Sequence, residues 1–160
     1  LHDVGKIAIP DEILLKKGTL SSEEMQIMKT HVQHGEQIVK YDAWIREARD
    51  VISAHHERWD GTGYPRQLHK EQIPLNARIF AIADVFDALC SERPYKKSFE
   101  YQDAISIMKD GRGSHFDPVI FDCFLELSKS FSTKIITASE SDLHDQFQIL
   151  INNYFKAENE

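Results

Sequence analysis

Six residues of this 160-residue chain are candidate metal ligands by type and placement: His2, Asp3, His31, His55, His56 and Asp84. Each lies on or beside an apolar helical face. An imidazole or carboxylate there is costly to bury unless it is paired, and metal coordination is one way to pair it. A single structural zinc takes about four ligands, so this set is too large for one ion and fits two, with Asp3 as the natural bridge. Mixed nitrogen and oxygen donors suit iron, manganese, zinc or nickel, and ligand softness alone does not choose among them. Two metals roughly 3.5–4 Å apart form a site for phosphoester hydrolysis, where a hydroxide held between them attacks and the ions neutralise the phosphate. Asp3 and Lys6 are the candidate catalytic residues. Lys6, Tyr64, Arg93 and Lys96 are candidate phosphate contacts: an Arg fork suits phosphate, and Tyr64 adds a hydroxyl and a ring face.

Helices must bring these residues together. Pro10, Asp11 and Glu12 suit the first turn of a short helix that Gly18 stops. Ser21 with Glu24 forms a capping box, and the helix it opens carries Met25, Met28, Val32, Gly35 and Val39 on one stripe. With about 100° between successive residues, His31 falls inside that apolar arc and His34 at or beyond its edge. A second helix spans about Ala43 to Glu57, buries Trp44, Ile45, Ala48, Val51 and Ile52, and continues that face to His55. A glycine-containing turn follows, ending in Gly63-Tyr64-Pro65, and then a polar connection to about Ile73. Asn76 to Leu89 is apolar nearly all round and should be central, with Asp84 and Asp87 on one side of it. Ser98 can cap a helix to about Lys109. Asp117 and Pro118 read as N-cap and first residue of another, with Phe116 and Phe121 placed for a hydrophobic staple and an end near Ser128. Thr133 to Thr137 has β-branched character. Leu143, Phe147, Leu150, Ile151 and Tyr154 mark a final amphipathic helix from Ser141. The fold class is all-α: a helical bundle over residues 1–128, with a linker and C-terminal helix over 129–160 as a short appendage.

An apolar fraction of 41% provides for a real core. The net charge of −7, with no long Lys/Arg block, argues against a nucleic acid polymer as partner. No apolar run is long enough to span a bilayer and no signal peptide opens the chain, so a cytoplasmic protein is expected. Cys90 and Cys123 read as buried, reduced thiols.

The motifs in order are His2-Asp3 with Gly5-Lys6, His31 with Gly35, His55-His56-Glu57, Gly63-Tyr64-Pro65, Ala83-Asp84-Val85-Phe86-Asp87-Ala88-Leu89 and Arg93-Pro94-Tyr95-Lys96. Together they resemble the HD-GYP family over roughly residues 1–127. The resemblance implies an HD-domain helical bundle with a centre of two, or three, divalent ions, iron or manganese foremost. It implies hydrolysis of cyclic di-GMP to linear pGpG, and in some members on to GMP. By motif position the metal ligands would be His2, Asp3, His31, His55, His56 and Asp84, and the phosphate contacts Lys6, Tyr64, Arg93 and Lys96. The partners implied are an upstream receiver or sensor domain, as in a response regulator, and diguanylate cyclase (GGDEF) domains; a homodimer is also admitted. The family pattern has a helix before the His-Asp pair that supplies a further ligand. This chain opens on the pair, so the bundle is expected to lack its N-terminal helices.

Plainer readings compete. A histidine on an apolar face is by default a core residue satisfied by a backbone carbonyl, and His34, His69, His115 and His144 keep surface or capping roles. Asp87 is either a carboxylate orienting a ligand or a helix-end acceptor. Two other functions remain in play: an inactive signalling module that binds the dinucleotide or a cyclase partner, and a phosphohydrolase of another nucleotide.

Overall fold

The computed structural model describes residues 1–41, 46–92, 97–137 and 140–157. Among these residues the chain is helical with no strand; the only β-pairings are isolated bridges between Asp60 and His69 and between Arg112 and Phe116. The order is a 3-10 helix Val4–Ala8, then α1 (Asp11–Leu14), α2 (Ser22–Lys29), α3 (His31–Ile38), α4 (Arg46–Ala54), a 3-10 helix Lys70–Gln72, α5 (Leu75–Cys90), α6 (Tyr101–Lys109), α7 (Pro118–Thr137) and α8 (Glu140–Ala157). No described helix is long and apolar enough to cross a membrane. The chain falls into two compact units, Leu1–Asp122 and Cys123–Glu160.

The first unit is a chain of helix pairs: the N-terminal 3-10 helix on α3, α3 on α4, α4 on α5, and α5 on α6. Its core contains Val32, Ile52, Ala77, Ile82, Ala104, Met108 and Phe121, each at most 2% exposed. Burying one large apolar side chain of this kind stabilises by about 1.5–3 kcal/mol. The contact of the 3-10 helix with α3 is of another sort. A Cβ at Gly5 would fall on the His31 carbonyl and the Gly35 nitrogen, so the two backbones meet with nothing between them.

Local chemistry explains most boundaries. Ser21 Oγ accepts from the Glu24 N–H at 3.2 Å, and the Glu24 carboxylate accepts from the Ser21 N–H at 2.7 Å, closing the expected capping box. Asp117 Oδ1 accepts from the N–H groups of Val119 and Ile120, and the Phe116 and Phe121 rings stack with centroids 5.2 Å apart.

Five expectations are corrected. The Ser21 helix is two helices, divided at Thr30, whose hydroxyl donates to the Ile27 carbonyl and competes for the backbone bonding there. The helix leading to His55 ends at Ala54, not Glu57, and its expected start at residues 42–45 lies outside the described residues. Ser98 is not a cap: α6 begins at Tyr101 behind Glu100. The Pro118 helix runs to Thr137, well past Ser128. With no Gly or Pro from Val119 onward to stop it, the β-branched residues cost only tenths of a kcal/mol each. Finally, Cys123 is free but exposed, since it lies about 200° around the helix from buried Phe121.

In the second unit α8 is the expected final helix, beginning one residue earlier than Ser141, and it exposes Leu143 and Phe147.

Candidate metal centre

Four of the predicted ligands converge. Asp3, His31, His55 and His56 each present a donor atom within 4.8 Å of the others and form a cluster that can hold a metal ion. Asp3 arrives on the turn that opens the N-terminal 3-10 helix, His31 on the first residue of α3, and the two remaining histidines immediately after α4. The backbone contact at Gly5 carries the first of these onto the second.

The tautomers follow from the bonding. His31 Nδ1 lies 2.8 Å from the Met28 carbonyl, and His55 Nδ1 lies 3.0 Å from that of Val51. A carbonyl only accepts, so each Nδ1 carries a proton and each ring turns its Nε2 toward the site. Those two Nε2 atoms face each other at 3.5 Å, and stand 3.4 and 3.8 Å from Asp3 Oδ1. Oδ1 itself is buried without a hydrogen-bond partner. Two ring nitrogens and a carboxylate oxygen thus share one space, an arrangement that a cation resolves. The ring orientation, with the far nitrogen donating to a fixed acceptor, is the one metal-ligating histidines adopt.

The electrostatics agree. Burial pushes the imidazoles of His2 and His31 below their ordinary value. For His56, burial and then the neighbouring His55 and His31 lower it to about 3. Burial raises the Asp3 carboxyl, yet the Lys6 ammonium, 2.5 Å from Oδ2, holds it well below the usual carboxylate range. At neutral pH these histidines are therefore neutral and Asp3 ionised, as ligands must be.

His2 and Asp84 are more loosely placed. His2 Nε2 lies 3.3 Å from Asp3 Oδ2 and 3.8 Å from Asp84 Oδ1, and its ring packs on Phe80. Asp84, on α5, thus reaches the site through His2 and is absent from the tight group of four. Asp87 is a helix-end acceptor, taking a hydrogen bond from Ser91 Oγ at 3.0 Å. Arg93 and Lys96 lie outside the described residues. Tyr64 stacks on His56 with centroids 4.7 Å apart, and burial, then the Asp3 charge, push its phenol up to about 12. Of the histidines given plain roles, His115 is no surface residue: it is partly buried and stacks on Phe116.

The turn that carries Tyr64 is held from beneath by Glu57, to which sequence reasoning assigned no role. Its carboxylate is 2% exposed and accepts from the backbone N–H groups of Arg66 at 2.7 Å and Leu68 at 3.1 Å. A Cβ at Gly63 would strike Arg58 and Glu57, so only glycine lets the turn lie this close. The Arg66 guanidinium pairs with Glu36 of α3, and Asp60 braces the near side by accepting from Thr62. A charged residue directly after two candidate ligands was the available signal for Glu57, but partners nine and eleven residues on leave no periodicity to read.

Residues 1–120 match the sequence profile of the HD domain. The chain belongs to the HD domain family. Its His-Asp pair and Gly63-Tyr64-Pro65 turn mark it as an HD-GYP member, and HD domains bind divalent metals. Curated relatives point the same way. It is 45% identical over 138 residues to a cyclic di-GMP phosphodiesterase of Vibrio cholerae, covering 82% of this chain and 28% of that protein. It is 47% identical over 127 residues to the cyclic di-GMP phosphodiesterase response regulator RpfG of Xanthomonas campestris, covering 78% and 34%. It is 43% identical over 128 residues to the 3'3'-cGAMP-specific phosphodiesterase 2 of Vibrio cholerae, covering 79% and 24%. This HD domain chain spans about a third or less of the length of each of these relatives.

Proposed function

We propose that this HD domain is a metal-dependent phosphodiesterase that hydrolyses cyclic di-GMP to pGpG, GMP or both. The observation that carries the proposal is the meeting of the His31 and His55 Nε2 atoms with the unpartnered Asp3 Oδ1. The names of the relatives supply the substrate class. Asp3, His31, His55 and His56 would hold divalent iron or manganese, and His2 and Asp84 would extend the set to a second ion. The chemistry such a centre supplies is Lewis-acid polarisation of the phosphoryl group and activation of water.

The chain's own groups do the rest. Lys6 keeps Asp3 ionised and places a cation beside it for a phosphate oxygen. Tyr64, whose phenol stays protonated far above neutral pH, donates a hydrogen bond there without adding negative charge. Arg93 and Lys96 complete the phosphate contacts. The stack of Tyr64 on His56 fixes the phosphate-binding side relative to the imidazoles. An upstream receiver domain fits the response-regulator name of one relative.

The test is anaerobic purification, loading with manganese or ferrous iron, and chromatography of the products from cyclic di-GMP. Formation of pGpG or GMP that a chelator stops is the expected result. Protein with bound metal and no product would overturn the proposal.

A further inference from the structure

A concavity opens beside Tyr64. It has a volume of about 330 Å³ and is walled by Gln26, Lys29, Thr30 and Gln33 from α2 and α3, and by Tyr64 and Gln67 from the turn. That volume lies in the range of about 300–1,000 Å³ typical of small-ligand sites. Among the described residues no carboxylate or imidazole lines it. We infer that this cavity is a nucleobase subsite in which Lys29 reads the O6/N7 edge of guanine; the inference rests on the cyclic-dinucleotide reading above.

The lining is what a base edge requires. Three carboxamides offer donors and acceptors together and so can pair with a ring edge that carries both. Lys29 only donates. Its Nζ lies 5.0 Å from the centroid of the Tyr64 ring, a cation–π contact that sets the ammonium at the cavity wall. Among the described residues it forms no ion pair with a carboxylate. An ammonium so placed favours two adjacent acceptors. Guanine presents O6 and N7; adenine presents N7 beside an amino donor that would face the ammonium unfavourably.

Position supports the same assignment. Tyr64 is in contact with His56 on one hand and with Lys29 on the other. The cavity is therefore one aromatic ring away from the imidazole cluster, near enough for a base whose own phosphate lies at the cluster. Relatives of similar identity are named for substrates that differ by a base, cyclic di-GMP and 3'3'-cGAMP, so a base-reading residue has a choice to make within this family.

Isothermal titration of the full, manganese-loaded chain with cyclic di-GMP and with cyclic di-AMP tests the inference, because cyclic di-AMP offers adenine in either orientation. In the Lys29→Gln variant the preference for cyclic di-GMP over cyclic di-AMP should fall roughly tenfold, since a carboxamide suits adenine. Metal content and the melting temperature should stay unchanged. Equal weakening toward both ligands would place Lys29 on phosphate and overturn the inference, as would an unchanged preference or no binding of either ligand by the parent chain. A parent chain that binds with the guanine preference but yields no product would sink the proposed hydrolysis and leave the subsite standing.

Discussion

Asp3 and His31 are brought together by helices packed backbone to backbone, whereas Tyr64 rides on an irregular turn whose hydrogen bonds converge on one buried carboxylate. The first side depends on shape: Gly5 against α3, and the rings of His31 and His55 pinned by carbonyls three and four residues back. The second depends on polar partners drawn from distant positions: Glu57 beneath, Asp60 at the near edge, and the carbonyls of Ser114 and His115, which accept from the N–H groups of Asp60 and Trp59. Metal holding and substrate contact should therefore fail separately when each side is damaged.

Gly5→Ala should have the largest effect. The new methyl meets backbone atoms that cannot rotate away, and overpacking of that kind costs about 3 kcal/mol. Urea unfolding should show the loss, and metal affinity should fall with it. Asp3→Ala comes next: metal affinity, measured by elemental analysis against added chelator, should drop by at least about tenfold. Asp84→Ala should lose less, because Asp84 meets only His2; equal losses would show that the tight four are not a unit.

Glu57→Gln should act on the other side alone. It turns one acceptor into a donor facing a backbone N–H, a mismatch of about 1–3 kcal/mol. The expected signature is a raised KM for cyclic di-GMP at unchanged metal content. Loss of metal in this variant would erase the distinction between the two sides.

The smallest effect concerns pH. Burial, then the Arg58 charge, lower His115 from 6.5 to about 4. A folded pKa below the unfolded one means that the contribution is complete above about pH 6.5. It is lost as pH falls toward 4, because the unfolded chain takes up the proton first. Urea midpoints between pH 7 and 4.5 should decline less steeply in His115→Gln than in the parent chain.

The asymmetry also explains what could be read in advance. His31 and His55 announced themselves because helical periodicity put polar rings on apolar faces, and the caps at Ser21 and Asp117 are short-range chemistry written in adjacent letters. Glu57 and Lys29 were not legible as functional. One works through loop N–H groups whose positions no period predicts, and the other through a cavity that exists only once α2 and the turn are assembled. The break at Thr30 and the extension of α7 to Thr137 went unseen for a related reason: both turn on competition between weak local preferences. Asp84 was legible as a polar residue on an apolar helix, but its distance from the other ligands depends on how α5 lies against α4.

The unpartnered Asp3 Oδ1 has a thermodynamic consequence. A cation that binds there binds the folded chain and not the unfolded one, so it raises stability by mass action. The gain is about 2.7 kcal/mol when free metal stands at a hundred times its dissociation constant. The melting temperature of this protein is then a gauge of free metal, and preparations made with and without chelator will differ in resistance to heat and proteolysis before any substrate is added.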